Sequence, residues 1–83
     1  MCSIYILYSV RLDKYYTGYT CDNIDNRINK HNSNHKGFTG GVGDWKLVYM
    51  ERFNSQKDAM KRERFIKKKK SRKYIEYLIQ KNE

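Results

Sequence analysis

Two short runs of β-branched and aromatic residues, separated by a polar turn, constrain the fold more than any other feature of this sequence. The first run, SIYILYS, covers residues 3–9, and the second, YYTGYT, covers residues 15–20. Residues of these types favour β-strands. Residues 11–14 between them are short and polar, so the two runs predict an antiparallel β-hairpin.

Side chains alternate between the two faces of a strand, which divides the first run into two sets. Tyr5 and Leu7 are predicted to lie on one face, and Ile4, Ile6 and Tyr8 on the other. The hairpin therefore has two distinct surfaces to cover.

A helix and a third strand follow the hairpin. Thr20 or Asp22 can cap a helix that runs to about Asn32. Residues 33–44 hold four of the five glycines without any period, which is typical of a loop. Residues 45–51 (WKLVYME) predict the third strand. The apolar stripe of the helix consists of Ile24 and Ile28, one turn apart.

Two helices end the chain. Residues 55–58 have the spacing of a capping box, so one helix begins near Gln56 and runs into the lysines of 67–70. Ser71 can cap the last helix. The predicted core-facing residues are Ala59, Met60 and Ile66 in the first of these helices and Tyr74, Ile75, Leu78 and Ile79 in the second.

The element order β-β-α-β-α-α predicts an α+β fold, in which a small, mainly antiparallel three-stranded sheet is flanked by helices. A chain of 83 residues has room for one domain, here residues 1–83. It lacks an apolar run of about 18 residues and the charged and apolar regions of a signal peptide. We therefore expect neither secretion nor membrane association. A cytoplasmic location is expected because the two cysteines have neither a metal-ligand spacing nor the density of a disulfide scaffold.

The net charge of +9 is concentrated in the last third of the chain. Residues 1–51 carry six Lys or Arg against five Asp or Glu, whereas residues 52–83 carry twelve against four, a net +8. Such a segment attracts nucleic acid through counterion release, although a membrane surface or an acidic protein would attract it too. The composition favours nucleic acid as the partner.

The two predicted hairpin strands bring the tripeptides SIY (residues 3–5) and YTG (residues 16–18) side by side. Tyrosines suit strands simply because they pack well there, so Tyr5 and Tyr16 have a structural explanation as well as a functional one. Gly18 is more informative, because a glycine inside a strand often marks a bulge or a close approach by another group.

Arg27 and His31 are four residues apart on the first helix and share a face. Arginine offers a rigid fork for phosphate oxygens, and histidine titrates near neutrality, which suits proton transfer. The alternative is a pair of solvated polar residues.

Glu63 lies on the inward stripe of its helix, four residues after Ala59 and three before Ile66. An unpaired carboxylate is unfavourable there, so we expect it to bind a metal or to pair with Lys67 four residues later. A cation such as Mg²⁺ needs only one or two carboxylates, together with waters and substrate phosphate.

A basic run after Glu63 is predicted to contact phosphates rather than merely to solvate the surface. The glycine-rich loop lacks the Gly-Lys-Ser/Thr ending of a P-loop, which excludes that motif. Cys2, Cys21 and His35 have no evident partner, and the cysteines are expected to be reduced. The basic residues of the run are Lys67, Lys68, Lys69, Lys70, Arg72 and Lys73.

Together these residues resemble the GIY-YIG nuclease superfamily, in particular its small single-domain bacterial members related to the N-terminal nuclease domain of the excision-repair incision subunit. The resemblance covers nearly the whole chain. It is carried by SIY at 3–5, YTG at 16–18, Arg27 with His31, and Glu63 within the segment 59–67.

The resemblance implies an endonuclease in which water displaces the 3′ oxygen of a phosphodiester. Tyr5 and Tyr16 then line the site, and Tyr5 is the candidate base, with nearby cations favouring its phenolate. Arg27 steadies the scissile phosphate and His31 assists proton transfer. Glu63 holds Mg²⁺ or Mn²⁺. The implied substrate is DNA rather than RNA, in repair or recombination, with a possible protein partner that supplies target specificity.

The sequence departs from the family pattern at several positions. Ser3 replaces the glycine of the first motif, and Thr17 replaces the isoleucine of the second. Ile75 stands where some members carry an asparagine, and Tyr19 where some carry a lysine. Either slow turnover or a narrow substrate range is expected.

Two other classes of function use the same basic surface. One is a non-catalytic nucleic-acid-binding module or subunit that retains the fold. The other is a structural module, associated with the ribosome or with another protein, which would show no metal dependence.

Overall fold

The computed structural model of the chain describes residues 1–33 and 43–81. Residues 34–42, which include His35 and most of the predicted glycine loop, lie outside that description. The described part contains β1 (Cys2–Ser9), β2 (Lys14–Thr20), α1 (Ile24–Asn32), β3 (Lys46–Phe53), α2 (Gln56–Lys69) and α3 (Arg72–Lys81). The predicted order β-β-α-β-α-α is confirmed.

The three strands form one antiparallel sheet with the order β2-β1-β3. The strand β1 is therefore central, and β2 pairs only with β1 among the described strands. In the hairpin register Tyr5 lies opposite Gly18, and Leu7 lies opposite Tyr16. The pairing with β3 shifts by one residue between Ile6 and Leu7. The antiparallel hairpin predicted from the sequence is confirmed.

The two faces of β1 are buried in two separate cores, as the alternation predicts. On one face Ile4 and Ile6 pack against the helix pair α2 and α3; this is the major core. On the other face Tyr5 and Leu7 pack with Trp45 and with the α1 residues Ile24 and Ile28; this is the minor core. The further buried residues of the major core are Cys2, Ala59, Ile66 and Leu78.

The helix termini follow the capping signals with one exception. The Ser55 hydroxyl accepts a hydrogen bond from the Asp58 amide at 3.2 Å, and Ser71 does the same for Tyr74. For α1, however, the cap is Asn23, whose side chain accepts from the Asp25 amide at 2.8 Å. The prediction of Thr20 or Asp22 was wrong because Asn23, the residue directly before the helix, accepts from a free amide of its first turn.

Two further expectations are corrected by the tertiary structure. Trp45 lies just before β3 and not within it, with its ring 2% exposed in the minor core. Cys2 and Cys21, expected to be unpaired, form a disulfide. The strand pairing explains it: Ser3 lies opposite Thr20, so Cys2 at the start of β1 and Cys21 directly after β2 are neighbours. None of the described helices has the length and apolar character that crossing a membrane requires.

Candidate active site

Tyr5 occupies the centre of the minor-core face of the sheet. Its side chain is fully buried, and its hydroxyl lies 3.0 Å from Nε2 of His31, which is 7% exposed. Opposite it on β2 is Gly18, where a Cβ atom would come within 2.7 Å of the Tyr5 hydroxyl oxygen. The glycine in the strand therefore leaves the space in which the phenol ring of Tyr5 lies.

Aromatic rings surround this hydrogen bond. The rings of Tyr16 and His31 have centroids 4.7 Å apart, and Tyr5 and Tyr16 are 6.4 Å apart. Trp45 contacts the other side of Tyr16 edge-on, also at 6.4 Å. The two motif tyrosines and the helix histidine are thus brought together, as their roles in the resemblance require.

Arg27 joins the same group from the preceding turn of α1. Its guanidinium interacts favourably with the Tyr5 hydroxyl, which raises the pKa of Arg27 even though burial opposes this. Nε of Arg27 is buried and has no hydrogen-bond partner within the described residues. A buried donor without a partner is unfavourable, so this atom is well suited to bind an anionic oxygen of a ligand.

The pKa of Tyr5 is raised above its usual value near 10, chiefly because the ring is buried. Arg27 acts in the opposite direction, whereas Tyr16 and the charge of Glu63 add to the rise. Arg27 thus favours the phenolate, as expected of a neighbouring cation, but burial outweighs it. A neutral Tyr5 hydroxyl donates to Nε2 of His31 when that ring carries its own proton on Nδ1.

Glu63 approaches this group from α2. Its side chain is 19% exposed and pairs with Lys67, whose Nζ lies 3.7 Å from the carboxylate. The same Nζ lies 5.8 Å from the centroid of the Tyr16 ring. Since Tyr16 belongs to the edge strand β2, α2 places both charged side chains beside that edge. The salt bridge considered as the alternative role of Glu63 is present.

The donor set fits a metal that needs few protein ligands. Within residues 1–33 and 43–81, no three His, Cys, Asp or Glu side chains gather as a preformed metal cage. Mg²⁺ commonly uses one or two carboxylates and completes its shell with water and substrate phosphate. Glu63, largely shielded yet open to the edge of β2, suits that kind of site.

The basic run is exposed throughout, but its members are not equivalent. Arg72 is engaged within the protein: it pairs with Asp13 at 2.7 Å and with Glu76 at 3.2 Å. Lys69 lies 4.8 Å from the ring centroid of Phe65. Lys67 is the member beside Tyr16. The run thus includes a lysine at the site and an arginine engaged in ion pairs. Its other members, Lys68, Lys70 and Lys73, are exposed.

Sequence reasoning missed one residue that shapes the site. The side-chain amide of Asn32 donates to the Trp45 carbonyl at 3.0 Å and accepts from the Trp45 amide at 2.7 Å. This pair of bonds ties the end of α1, directly after His31, to the chain entering β3. Only its place at the predicted helix end distinguished Asn32, so no local pattern identifies the contact.

Comparison with known proteins agrees with this geometry. Residues 1–75 match the family model described as the GIY-YIG catalytic domain. The chain is similar to a UPF0213 protein of Clostridium perfringens, with 41% identity over 66 residues, covering 78% of this chain and 69% of that protein. A UPF0213 protein of Streptococcus agalactiae is 42% identical over 71 residues, covering 82% of this chain and 78% of the relative.

A solved structure shows the same fold. The solution NMR structure of a UPF0213 protein from Bacillus halodurans aligns with a TM-score of 0.58 and 36% identity, covering 96% of this chain and 84% of that one. The family model spans residues 1–75, which is most of the chain. The chain therefore belongs to the GIY-YIG superfamily.

Proposed function

We propose that this protein is a metal-dependent endonuclease that hydrolyses phosphodiester bonds in nucleic acid, DNA in preference to RNA. The observation that carries the proposal is the series Arg27, Tyr5 and His31, in which the Tyr5 hydroxyl lies 3.0 Å from Nε2 of His31 and interacts with the Arg27 guanidinium. The Glu63 carboxylate is close enough to raise the pKa of Tyr5. Phosphodiester hydrolysis needs a cation at the phosphate and a path for the proton of the attacking water. The series supplies both in one place.

Arg27 has the clearest role in binding the scissile phosphate. Its buried Nε is unpartnered within the described residues and donates to a non-bridging phosphate oxygen. The fixed positive charge then stabilises the charge that develops on this oxygen in the transition state. Because arginine keeps its proton at any physiological pH, this contribution does not titrate.

Tyr5 and His31 move the proton. The phenol oxygen accepts a proton from the attacking water while its own proton passes to Nε2 of His31, 3.0 Å away. The raised pKa of Tyr5 is compatible with this relay, because the phenolate is never a stable species. As the new bond from the water oxygen to phosphorus forms, the bond to O3′ breaks, which leaves a 5′-phosphate and a 3′-alkoxide. The alkoxide takes a proton from solvent water and becomes the 3′-hydroxyl.

Glu63 is the residue that would hold Mg²⁺ or Mn²⁺, with waters and phosphate oxygens completing the shell. Such an ion, when bound, supplies Lewis-acid stabilisation of the phosphate. The net +8 of residues 52–83 supplies affinity for the polyanion. A role in cytoplasmic DNA repair or recombination, with a partner protein that directs the enzyme to its target, completes the proposal.

The test is a cleavage panel of branched, single-stranded and duplex DNA and RNA, with Mg²⁺ or Mn²⁺ titrated. We expect Glu63→Gln to abolish metal-dependent cleavage while its nucleic-acid affinity stays equal or increases, because a negative charge near the phosphates is removed. Glu76→Gln is the matched control. It also removes the carboxylate of an i,i+4 ion pair, with Arg72, but on α3. Wild-type rates in Glu63→Gln would contradict the metal role.

A non-catalytic nucleic-acid-binding subunit is the second candidate, and one observation favours it. Lys67 gives the Glu63 carboxylate an ionic partner without any metal. That function predicts salt-sensitive binding and no cleavage of any substrate in the panel by the wild-type protein. Cleavage that depends on metal and is lost in Glu63→Gln would exclude it.

A further inference from the structure

A groove of about 490 Å³ runs along the edge of β2, next to the candidate active site. One wall is formed by residues 14–17 of β2, and the other by the junction between α2 and α3. Four consecutive β2 residues face it, so the groove follows the strand edge itself. Its volume lies within the range of pockets that hold small ligands or one unit of a polymer.

The charges on both walls favour an anionic occupant. Lys14 lies on the β2 wall, and Lys67 and Lys70 lie on the helical wall. Among the described residues that line the groove, the one carboxylate is that of Asp13, which is already paired with Arg72 at 2.7 Å. The groove therefore presents an excess of positive charge from two opposite sides.

The floor of the groove is apolar. Ile66 is buried beneath it, and Ile75 and the ring of Tyr15 are half-buried along it. A surface with cations on its rims and apolar groups below matches a sugar–phosphate unit, whose phosphate is charged and whose ribose carbons are not. A free inorganic anion would make no use of the floor.

Tyr16 connects the groove to the candidate active site. Its residue lines the groove, and its ring packs against His31 at 4.7 Å. Lys67 is shared as well, because it lines the groove and pairs with Glu63. A nucleic-acid strand whose scissile phosphate lies at Arg27 can therefore continue along the protein surface into the groove.

We propose that this groove is a subsite for the nucleotide that flanks the scissile phosphodiester, held through its sugar–phosphate backbone. Lys14 and Lys70 contact the phosphate from opposite walls, and the ribose packs against Tyr15 and Ile75. The inference rests on the proposed function for the identity of the strand. It adds Lys14, on the hairpin, to the contacts expected from the C-terminal basic run.

The experiment measures binding rather than cleavage. The parent protein carries Glu63→Gln. The groove variant adds Lys14→Gln/Lys70→Gln to the parent, and the control variant adds Lys57→Gln/Lys61→Gln. Each protein is titrated against a fluorescent oligonucleotide at several salt concentrations. The control lysines line a separate cavity of about 310 Å³ on α2. Each double variant removes two charges from exposed side chains, so circular dichroism should show both folded.

We expect the groove variant to flatten the slope of log affinity against log salt by about 0.7 to 0.9, because the neutralisation of one phosphate is lost. The control should keep the slope of the parent. An unchanged slope in the groove variant, or an equal change in both variants, would overturn the subsite.

A second measurement locates the contact. Oligonucleotides with one neutral methylphosphonate at successive positions are bound to the parent and to the groove variant. A methylphosphonate at one position should weaken binding to the parent but should not weaken binding to the groove variant any further. Equal weakening in both proteins would overturn the proposal. Since no step requires cleavage, an inactive wild-type protein would refute the proposed nuclease and leave this result to be judged separately.

Discussion

At the scale of single residues, the Tyr5 hydroxyl is the point where the site residues converge. It lies 3.0 Å from Nε2 of His31, interacts with the Arg27 guanidinium and faces Gly18 across the hairpin. The pairing register places Gly18 there, and α1 brings the other two side chains over the same face. Substitutions of Tyr5 and Gly18 should therefore change the cleavage rate and the free energy of unfolding by different amounts.

Gly18→Ala tests the close approach. The new Cβ would lie 2.7 Å from the Tyr5 hydroxyl oxygen and 3.1 Å from a ring carbon of Tyr16, so both rings must shift. We expect a loss of about 1 to 3 kcal/mol in the free energy of unfolding, typical of overpacking, together with a large loss of cleavage. Urea unfolding measures the free energy of unfolding, and the cleavage assay measures the loss of activity. A variant as stable and active as wild type would show that a methyl group fits beside the Tyr5 hydroxyl.

Tyr5→Phe removes one oxygen and keeps the ring. Without that hydroxyl the water proton has no acceptor, so cleavage should fall by about 100- to 10,000-fold. Stability should decrease by only about 1 to 3 kcal/mol, because His31 and Arg27 lose a buried partner. Tyr8→Phe is the control, since Tyr8 lies on the same strand and bonds to Asp13 away from the site. Full activity in Tyr5→Phe would assign the base to another residue, His31 or Tyr16.

At the scale of elements, α2 has two tasks. Ala59 and Ile66 anchor it in the major core, while Glu63 and Lys67 lie toward the edge of β2. The position of the helix is further fixed by an ion pair with β3. Arg62 donates from Nε and one terminal nitrogen to the two oxygens of Glu51, each at 3.0 Å, and Tyr49 also donates to Glu51.

This ion pair predicts a loss of stability in acid. Burial alone would raise the pKa of Glu51, but the hydrogen bonds from Arg62 and Tyr49 outweigh it, so the pKa lies below the usual 4.5. A carboxyl whose pKa is lower in the folded state stabilises the fold above its unfolded pKa and loses that contribution as the pH falls through the folded value. We expect the free energy of unfolding to decrease as the pH is lowered beyond about 4.5.

Urea unfolding of the wild type and of Glu51→Gln between pH 7 and pH 3 measures this contribution. The variant should be less stable at pH 7, and the difference between the two proteins should shrink as the pH decreases. Parallel pH profiles would show that Glu51 contributes nothing to the acid transition. Tyr49 titrates far from this range, because burial and the Glu51 carboxylate raise its pKa to about 12.

At the scale of the whole molecule, the two cores share the single strand β1. The major core packs the helix pair and the minor core supports the site, so the site is built directly on the strand that organises the fold. The disulfide between Cys2 and Cys21 joins the start of this strand to the segment that leads into α1. It therefore holds the open end of the hairpin next to the start of the helix that carries Arg27 and His31.

Reduction of the disulfide should lower the free energy of unfolding by about 3 kcal/mol, because the bond closes a loop with a sequence separation of 19. Thermal unfolding with and without a thiol reductant measures the change. Cys2→Ser/Cys21→Ser should be less stable than the untreated wild-type protein, both with and without the reductant, and the reductant should not change its stability. Two alkylatable thiols in the untreated wild-type protein would contradict the bond.

The sequence by itself determined the elements and their faces. Alternation in β1 separated Tyr5 and Leu7 from Ile4 and Ile6, and the Ser55 and Ser71 caps marked where α2 and α3 begin. These signals are local, since they depend on the period of a strand and on the free amides of a helix end. The family motifs likewise named a set of candidate residues before their positions were known.

Only the tertiary structure decided what these residues touch. The Asn32–Trp45 bonds, the disulfide and the groove between β2 and the α2–α3 junction join segments from separate parts of the chain. The raised pKa of Tyr5 follows from burial, which no single strand reveals. Each depends on distances and desolvation set when the sheet and helices pack, and a periodic pattern carries no information about either.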